Sequence, residues 1–552
     1  MRLTVIGMVL ALCLPAATAA DDVSSLAVGY ICSAEQAGVG PGSTRQLVMV
    51  AGVGTGGFPI LTAKPEAQAW FDYGMKLAHA FYHADAKLAF KRARTFDPAC
   101  AMCAWGEAWA DGPTLNYDIT AAERKAAGAI DAEAAALAGR ESAKNKALIE
   151  ALRLRYVGPG PAADIAFAKA MDALSRLHPE DDEIAVLTSD AWLMLFPQHD
   201  DRQGVARAVA VLEPVLRRHP DNTGAIHFYI HATEVAGNPG LALPYAERLG
   251  ALAPDASHLV HMASHTFFQV GRYEDAAVAN AKAIAVDGAY LRATHDTSLQ
   301  GKVNYHGHDL RYGLAGAIAS GDALIALRLA DHTGFAYPTS IAGEGSSQVA
   351  ASGADFAYAR FAPDRALALP DPGPAAPFAA ALRHYARGEA LAARSDAAGV
   401  KAEAALIATQ AGAAEATPIY FRPTARAVLH IAVLTLQGRA AMLEGRPQDA
   451  VTAYRAAAAI QDAELNGKGS RDPPPWWYPE RRSLAAALLA AGQPAKAAEE
   501  ARTALKLWPR EPLTLQVLGE AEQAAGQAEA ARRDLAEASH AWRGGSIPLA
   551  RM

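Results

Sequence analysis

Residues 480–509 read ERRSLAAALLAAGQPAKAAEEARTALKLWP, an alanine-rich segment, a glycine turn, a second alanine-rich segment and a closing proline. The landmarks of this stretch are Gly492, Ala497, Ala501, Ala504 and Pro509. Alanine favours helix, and small residues let two helices approach closely. Because glycine ends one helix and proline cannot continue the next, the stretch predicts a single helix–turn–helix unit.

The same landmarks recur along the chain with a constant period. Pro254 follows Pro220 by one period, and Ala276 follows Ala242 by the same interval. Three further units carry matching landmarks, namely Gly74, Leu77, Ala86, Phe90, Ala93 and Pro98; Gly438, Gly445, Ala450, Tyr454 and Ala457; and Gly519, Gly526, Ala531, Leu535 and Ala538. Since the period is that of a tetratricopeptide-like helix pair, about 34 residues, we predict an all-α superhelical solenoid of such repeats.

The N-terminus has the pattern of a signal peptide over residues 1–20. Arg2 supplies a positive charge, 3–14 form an apolar run, and 17–20 are small residues suited to cleavage. Leu12 stands where a small residue should precede a lipidated Cys13, which disfavours a lipoprotein. We therefore expect a periplasmic or secreted product.

The remaining chain divides by composition. We predict an extended or loop segment over 21–64, an N-terminal repeat array with a histidine-rich groove over 65–330, an irregular connection over 331–380, and a C-terminal array over 381–552. Residues 473–478 read PPPWWY, which is too rich in proline for a helix interior. We interpret them as a packed loop between repeats rather than an aromatic lid.

Charge and cysteine content exclude several classes of function. The net charge is −7 with no basic stripe, which disfavours a nucleic-acid partner, and no later segment has the unbroken apolar run of a membrane span. Cleavage leaves Cys32, Cys100 and Cys103, too few for a disulfide framework. We expect Cys100 and Cys103 to form a buried pair that can oxidise to a disulfide after export.

Histidines are concentrated in two segments. Residues 227–234 read HFYIHATE and residues 258–265 read HLVHMASH. On a helix, spacings of three, four and seven residues place side chains on one face. One face therefore carries His227, His231 and Glu234, and another carries His258, His261 and His265. His261 follows His227 by one repeat period, as His265 follows His231, so adjacent repeats present these imidazoles at equivalent places.

The chain resembles the tetratricopeptide-repeat superfamily throughout. More narrowly, it resembles long bacterial repeat proteins related to the tetratricopeptide repeat protein 38 family, through the segment DPACAMCAWG at 97–106, Gly112-Pro113 and the two histidine segments. Similar proteins tend to have Asn where this chain has Thr114, which leaves the role of that loop open. The resemblance implies a binding scaffold, with first-helix positions such as those of the histidines facing a concave groove.

Five imidazoles and one carboxylate suit Zn, Cu or Fe better than Ca or Mg. The predicted metal ligands are His227, His231, Glu234, His258, His261 and His265, which form either one centre with the spare groups as outer partners or two metals bridged by Glu234. His295, His306 and His308 are interpreted as capping or lining the site, and His79 as unrelated to it.

Three functions remain open at this point. The favoured one is a binding protein whose groove carries a transition-metal site. The second is a metal-dependent hydrolase or oxidoreductase built on the solenoid, and no catalytic residue can be assigned for it. The third is a metal-free scaffold, and in all three the groove would receive a peptide, a protein or a small molecule.

Overall fold

A computed structural model describes residues 47–115, 118–158, 160–196, 202–295, 299–336, 345–415, 425–466, 473 and 476–552. The predicted signal peptide and Cys32 lie outside these residues. Among the described residues, no helix has both the length and the apolarity needed to cross a membrane.

The described residues form 24 α-helices and no strand. The helices of the first half are α1 Pro65–His79, α2 His83–Phe96, α3 Ala101–Ala110, α4 Ala121–Leu137, α5 Ala143–Tyr156, α6 Gly160–Leu177, α7 Asp182–Leu193, α8 Arg202–Arg218, α9 Thr223–Ala236, α10 Leu243–Leu252, α11 Ser257–Gln269 and α12 Tyr273–Ala293. Those of the second half are α13 Leu299–Ser320, α14 Ala323–Ala336, α15 Gly345–Phe361, α16 Pro363–Leu367, α17 Pro377–Ala393, α18 Ala397–Glu415, α19 Ala425–Leu443, α20 Pro447–Ile460, α21 Glu480–Ala490, α22 Pro494–Leu507, α23 Pro512–Ala524 and α24 Ala528–Ala541.

Helices adjacent in sequence pack as antiparallel pairs, and each pair stacks on the next. The glycine landmarks are contact points between the two helices of a pair. A Cβ atom on Gly438 would lie 2.5 Å from the Tyr454 ring, and one on Gly519 would lie 2.6 Å from Leu535. The predicted all-α solenoid is therefore confirmed, and the small residues do allow the close helix contact that the sequence indicates.

The range 331–380 differs from the expected irregular connection. It contains the end of α14, all of α15 and α16, and the start of α17. Gly353 explains the difference, because a Cβ at this position would lie 2.7 Å from the Trp477 ring. This glycine permits close packing of a helix and does not mark a loop. The division of the chain into two arrays stays a prediction.

The described residues of the proline-rich segment are packed into the solenoid, as the sequence indicates. Trp476, Trp477 and Tyr478 are buried. Phe356 of α15 contacts the Trp476 ring at 5.4 Å and the Tyr478 ring at 5.6 Å between centroids. The segment thus fills the space between α15 and the repeat that begins at α21.

The superhelix curls far enough for its first repeat to contact its middle repeats. The Tyr82 hydroxyl, between α1 and α2, lies 2.8 Å from Ser257 Oγ at the start of α11, 175 residues further along the chain. Tyr290 of α12 donates a hydrogen bond to Asp85 Oδ2 at 2.5 Å. The corner between α1 and α2 therefore covers the stack of α9 and α11.

The C-terminal repeats also contact the middle repeats. Tyr273 donates a hydrogen bond to the Pro509 carbonyl at 3.0 Å, and Phe268 packs on Trp508 with 5.7 Å between ring centroids. The Arg543 N–H also donates to the Ser320 carbonyl at 2.8 Å. The layer formed by α9, α11 and α13 is therefore contacted by both the first and the last described repeats.

Candidate metal centre

Three successive first helices, α9, α11 and α13, carry the histidine cluster. Helix α9 begins where the Asn222 side chain accepts a hydrogen bond from the Ala225 N–H, and ends at Gly237, which has a left-handed φ of 82°. Helix α11 ends in the same way before Gly271, with φ of 80°. These boundaries set the two histidine segments side by side in equivalent orientations.

The six predicted site residues are brought together, but not on an open groove. Their side chains are between 0% and 1% exposed, as given for His227, His231, Glu234, His258, His261 and His265. The expectation of a concave, accessible face is wrong, because the corner between α1 and α2 covers the stack. The histidines line an enclosed interior.

The first triad consists of His227, His231 and His258. The Nε2 atom of His227 lies 3.2 Å from Nε2 of His231 and 3.2 Å from Nε2 of His258. One ligand atom from each of the three residues lies within 4.8 Å of the others. Zinc–nitrogen bonds of about 2.0–2.1 Å in tetrahedral geometry require nitrogen atoms about 3.3–3.4 Å apart. The two distances from His227 Nε2 are close to this spacing.

The second triad consists of His261, His265 and His308. Nε2 of His265 lies 2.9 Å from Nε2 of His261 and 3.4 Å from Nε2 of His308. The sequence predicts that His308 caps or lines the site, whereas the structure makes it an equal member of this group. His308 belongs to α13, the next first helix, but it follows His265 by 43 residues and so lies outside the repeat period that identified the others.

Partners at Nδ1 orient several of these rings. The His227 Nδ1–H donates to the backbone carbonyl of His79 at 2.6 Å, which leaves its Nε2 lone pair directed into the triad. The His261 Nδ1–H donates to Asn280 Oδ1 at 2.6 Å, and the Asn280 amide donates in turn to the Ala276 carbonyl. Such outer hydrogen bonds fix the tautomer and ring direction of metal-binding histidines. His79, interpreted as unrelated, is therefore part of the surroundings.

Glu234 lies between the two triads. Its Oε2 accepts a hydrogen bond from the His265 Nδ1–H at 2.9 Å and lies 3.9 Å from His231 Nδ1. Its Oε1 accepts a hydrogen bond from Gln269. The carboxylate thus contacts the Nδ1 side of the ring whose Nε2 enters the second triad, which is the position of an orienting group. Glu234, His231 and His265 also form a third group that could hold an ion.

Burial controls the protonation of the cluster. It lowers the pKa of His227 to about 3, although the bond to the His79 carbonyl acts in the opposite direction. Burial, followed by the neighbouring imidazoles, also lowers the pKa of His231 and His258 well below the usual value. The three histidines of the first triad are therefore neutral at physiological pH, and neutral imidazole is the form that binds metals.

Polar groups surround the second triad. Asp309 Oδ1 lies 3.2 Å from His261 Nδ1, and the Tyr312 hydroxyl lies 3.0 Å from His265 Nδ1. Burial raises the pKa of Asp309 well above its usual range, with Asp287 adding to the effect. A nearby cation would oppose that shift, because it favours the ionised carboxylate.

The chemistry of the donors narrows the kinds of ion that the site could hold. Nitrogen atoms converge in both triads, and imidazole suits zinc, copper, iron and nickel rather than calcium or magnesium. The buried histidine triads could therefore hold a transition metal. Cys100 and Cys103, outside the cluster, are joined as a disulfide, in line with the expected buried pair.

Fold and site together define a helix-pair solenoid with a buried histidine cluster. Neither a protein-family model nor a curated protein matches the sequence. Solved structures that resemble the fold include the Cut9–Hcn1 hetero-tetramer of the APC/C, at 12% identity over 84% of this chain and 78% of that chain with a TM-score of 0.28. A human IFIT1 dimer has 12% identity over 76% and 86% with a TM-score of 0.31, and the P58(IPK) TPR domain has 13% over 66% and 95% with 0.21. All three TM-scores are below 0.5, and the fold assignment rests on the helix pairs themselves.

Proposed function

We propose that this protein is an exported metal-binding solenoid whose enclosed middle layer holds two transition-metal ions, one in each histidine triad. The observation that carries the proposal is the convergence of Nε2 atoms at 3.2 Å in the first triad and at 2.9 and 3.4 Å in the second. Buried lone pairs directed at one another repel unless a cation or a shared proton lies between them. A metal ion satisfies all three donors of a triad at once.

Under this proposal the ligands are His227, His231 and His258 in one centre and His261, His265 and His308 in the other. Glu234 acts as an orienting partner of His265 rather than as a bridge. The two alternatives from the sequence require different sites. A hydrolase or oxidoreductase needs an open coordination position on the metal, and a metal-free scaffold does not need histidine Nε2 atoms that converge. The enclosure of both triads favours the binding protein over the enzyme.

The wider context of the proposal comes from the sequence. The signal-peptide pattern supports a location in the periplasm or outside the cell, where the protein would acquire metal. Kinship with long bacterial proteins related to the tetratricopeptide repeat protein 38 family belongs to the same proposal. So does a peptide, protein or small-molecule partner on the outer faces of the repeats, since solenoids of this kind commonly bind other molecules.

The test is the metal content of the untagged protein, measured by plasma mass spectrometry after reconstitution under reducing conditions. We expect about two transition-metal ions per chain. His227→Ala removes a first-triad ligand and His261→Ala a second-triad ligand, so each single variant should lose about one ion and the double variant both. A matched control is His384→Ala, because His384 is also buried and paired, with Glu403 at 2.6 Å, but lies on α17.

Circular dichroism decides how a loss of metal is interpreted. The variants should keep the helical signal of the parent, so that metal loss reports ligand removal and not unfolding. If the parent binds no zinc, copper, iron or nickel under these conditions, the metal proposal is wrong. If the His384→Ala control loses metal equally, the assignment of the two triads is wrong.

A further inference from the structure

The turn between the two helices of a repeat takes the same backbone form at eight places in the described chain, where a residue with positive φ follows the first helix. Six of these turns use glycine, namely Gly237, Gly271, Gly321, Gly445, Gly492 and Gly526. The other two are Ser395, with φ of 59°, and Phe81, with φ of 60°. This left-handed conformation is unfavourable for a bulky side chain, because its Cβ crowds the following carbonyl oxygen.

Phe81 and Ser395 make the same turn in detail. The Phe81 N–H donates to the Ala78 carbonyl at 3.0 Å and the next N–H donates to Leu77 at 2.8 Å. The corresponding bonds after α17, from the Ser395 and Asp396 N–H groups, are both 3.0 Å long. The backbone therefore accepts a small residue here, and nothing in the turn itself calls for an aromatic ring.

The ring of Phe81 contacts all three ligands of the first triad. It stacks on His258 with 5.1 Å between centroids and on His231 with 5.6 Å, and it meets His227 edge-on at 4.3 Å. Phe81 is 2% exposed, and its ring covers one side of the triad at the corner between α1 and α2. An unfavourable backbone conformation retained at a functional site points to a role for the side chain.

We propose that the Phe81 ring keeps water, the usual fourth ligand of a three-histidine site, out of the first triad, so that His227, His231 and His258 form a three-coordinate site for the cuprous ion, Cu⁺. Zinc requires four ligands, and a three-histidine site supplies the fourth position with water. Cu⁺ is stable with three nitrogen donors. The energy needed to bury an ion rises with the square of its charge, so Cu⁺ costs about a quarter of what a divalent ion costs in the same apolar surroundings.

The groups that surround the second triad differ from those around the first. Asp309 and Glu234 place carboxyl groups within 3.2 Å and 2.9 Å of its imidazole Nδ1 atoms. In the first triad His227 donates instead to the neutral carbonyl of His79, and the Glu234 oxygen lies further away, at 3.9 Å from His231 Nδ1. Carboxyl groups balance the charge of a buried divalent cation, whereas a carbonyl balances less of it. The second triad is thus the divalent site of the pair.

The test rests on the proposed metal function and compares Phe81→Gly with Ser395→Gly in the full chain. Each change relieves the same backbone conformation, but only the first removes the ring over the triad. Zinc and Cu⁺ are titrated separately against colorimetric chelators, the latter anaerobically. The parent and Ser395→Gly should bind one zinc ion with high affinity, and Phe81→Gly should bind two. All three should bind Cu⁺ at the first triad.

Phe81→Leu keeps an apolar side chain at the corner and guards against misreading a folding defect. It should bind one zinc ion, like the parent. If Phe81→Gly also binds only one zinc ion while its circular dichroism matches the parent, or if the parent already binds two, Phe81 does not select the ion and this inference fails. If neither zinc nor Cu⁺ binds to any of the proteins, the proposed metal function fails instead.

Discussion

The Glu234→Gln variant tests whether the Glu234 carboxylate orients His265 or binds a metal ion itself. In the structure Glu234 Oε2 accepts the His265 Nδ1–H at 2.9 Å, and the carboxylate is 1% exposed. Hydrogen bonds to charged groups contribute about 1.5–3 kcal/mol, against about 0.5–1.5 kcal/mol for neutral pairs. Glu234→Gln keeps an oxygen acceptor but removes the charge, so the loss is about 1–1.5 kcal/mol.

That loss corresponds to roughly a tenfold weaker binding of the second-triad ion. It lies at the lower end of the ten- to hundredfold effects typical of partners behind metal-binding histidines. The assay is a competitive zinc titration, which reports both affinity and the number of ions bound. We expect the number to stay at the value of the parent.

A matched control is Glu403→Gln, which makes the same change in a buried carboxylate that accepts from His384 Nδ1 at 2.6 Å on another helix pair. It should leave zinc affinity unchanged. A drop of one bound zinc ion in Glu234→Gln would show that Glu234 is a ligand, and an unchanged affinity would show that it does not orient His265. Either result would refute the reasoning.

Three further outcomes concern stability. Gly438→Ala should lower Tm, because the new methyl group overlaps the Tyr454 ring at a cost of about 1–3 kcal/mol. Gly412→Ala, whose methyl group would meet nothing within 4 Å, should raise Tm, and a change of the same sign in both variants would show that close packing is not the cause. Burial, then Glu150, raises the pKa of Asp131 to about 7, so the stability from its protonated form is present below pH 4 and lost as pH rises through 7. The Tm of Asp131→Asn relative to the parent should therefore increase as pH rises from 5 to 8. A higher Tm of the variant at pH 5 only would contradict this direction. Trp476→Phe should lower Tm by removing the indole N–H that donates to buried Glu480 at 2.6 Å, a loss of about 1–3 kcal/mol; an unchanged Tm would show that this bond contributes little.

The sequence predicts the fold well because its signal is local. Gly438 and Gly519 mark places where the two helices of one repeat touch, and each contact lies within a single helix pair regardless of what lies elsewhere. The equivalent positions of His227 and His261 on neighbouring first helices follow from the same period. Structural features that depend on one repeat, or on two successive repeats, can therefore be predicted from the sequence.

The enclosure of the site and the positions of three of its residues depend on non-local contacts. His79 and Phe81 approach the first triad from distant positions in the sequence, because the superhelix curls back on itself. His308 joins from a helix whose register is displaced from the repeat. The repeat register tells which side of a first helix the histidines occupy, but the curvature summed over several repeats decides whether that side is open.

The curling of the first repeat onto the middle of the chain has a consequence for biogenesis. Residues 65–96 are synthesised long before His308, and the partners of Tyr82 and Asp85 in the middle repeats follow them by 175 and 205 residues. Loops of this length close slowly, since the entropy of closure must be overcome before any contact stabilises them. Phe81 therefore stays uncovered until the first helix pair docks on the middle repeats. An ion that enters before the corner closes would be trapped by it, which makes the order of folding and metal delivery a determinant of which ion the mature protein carries.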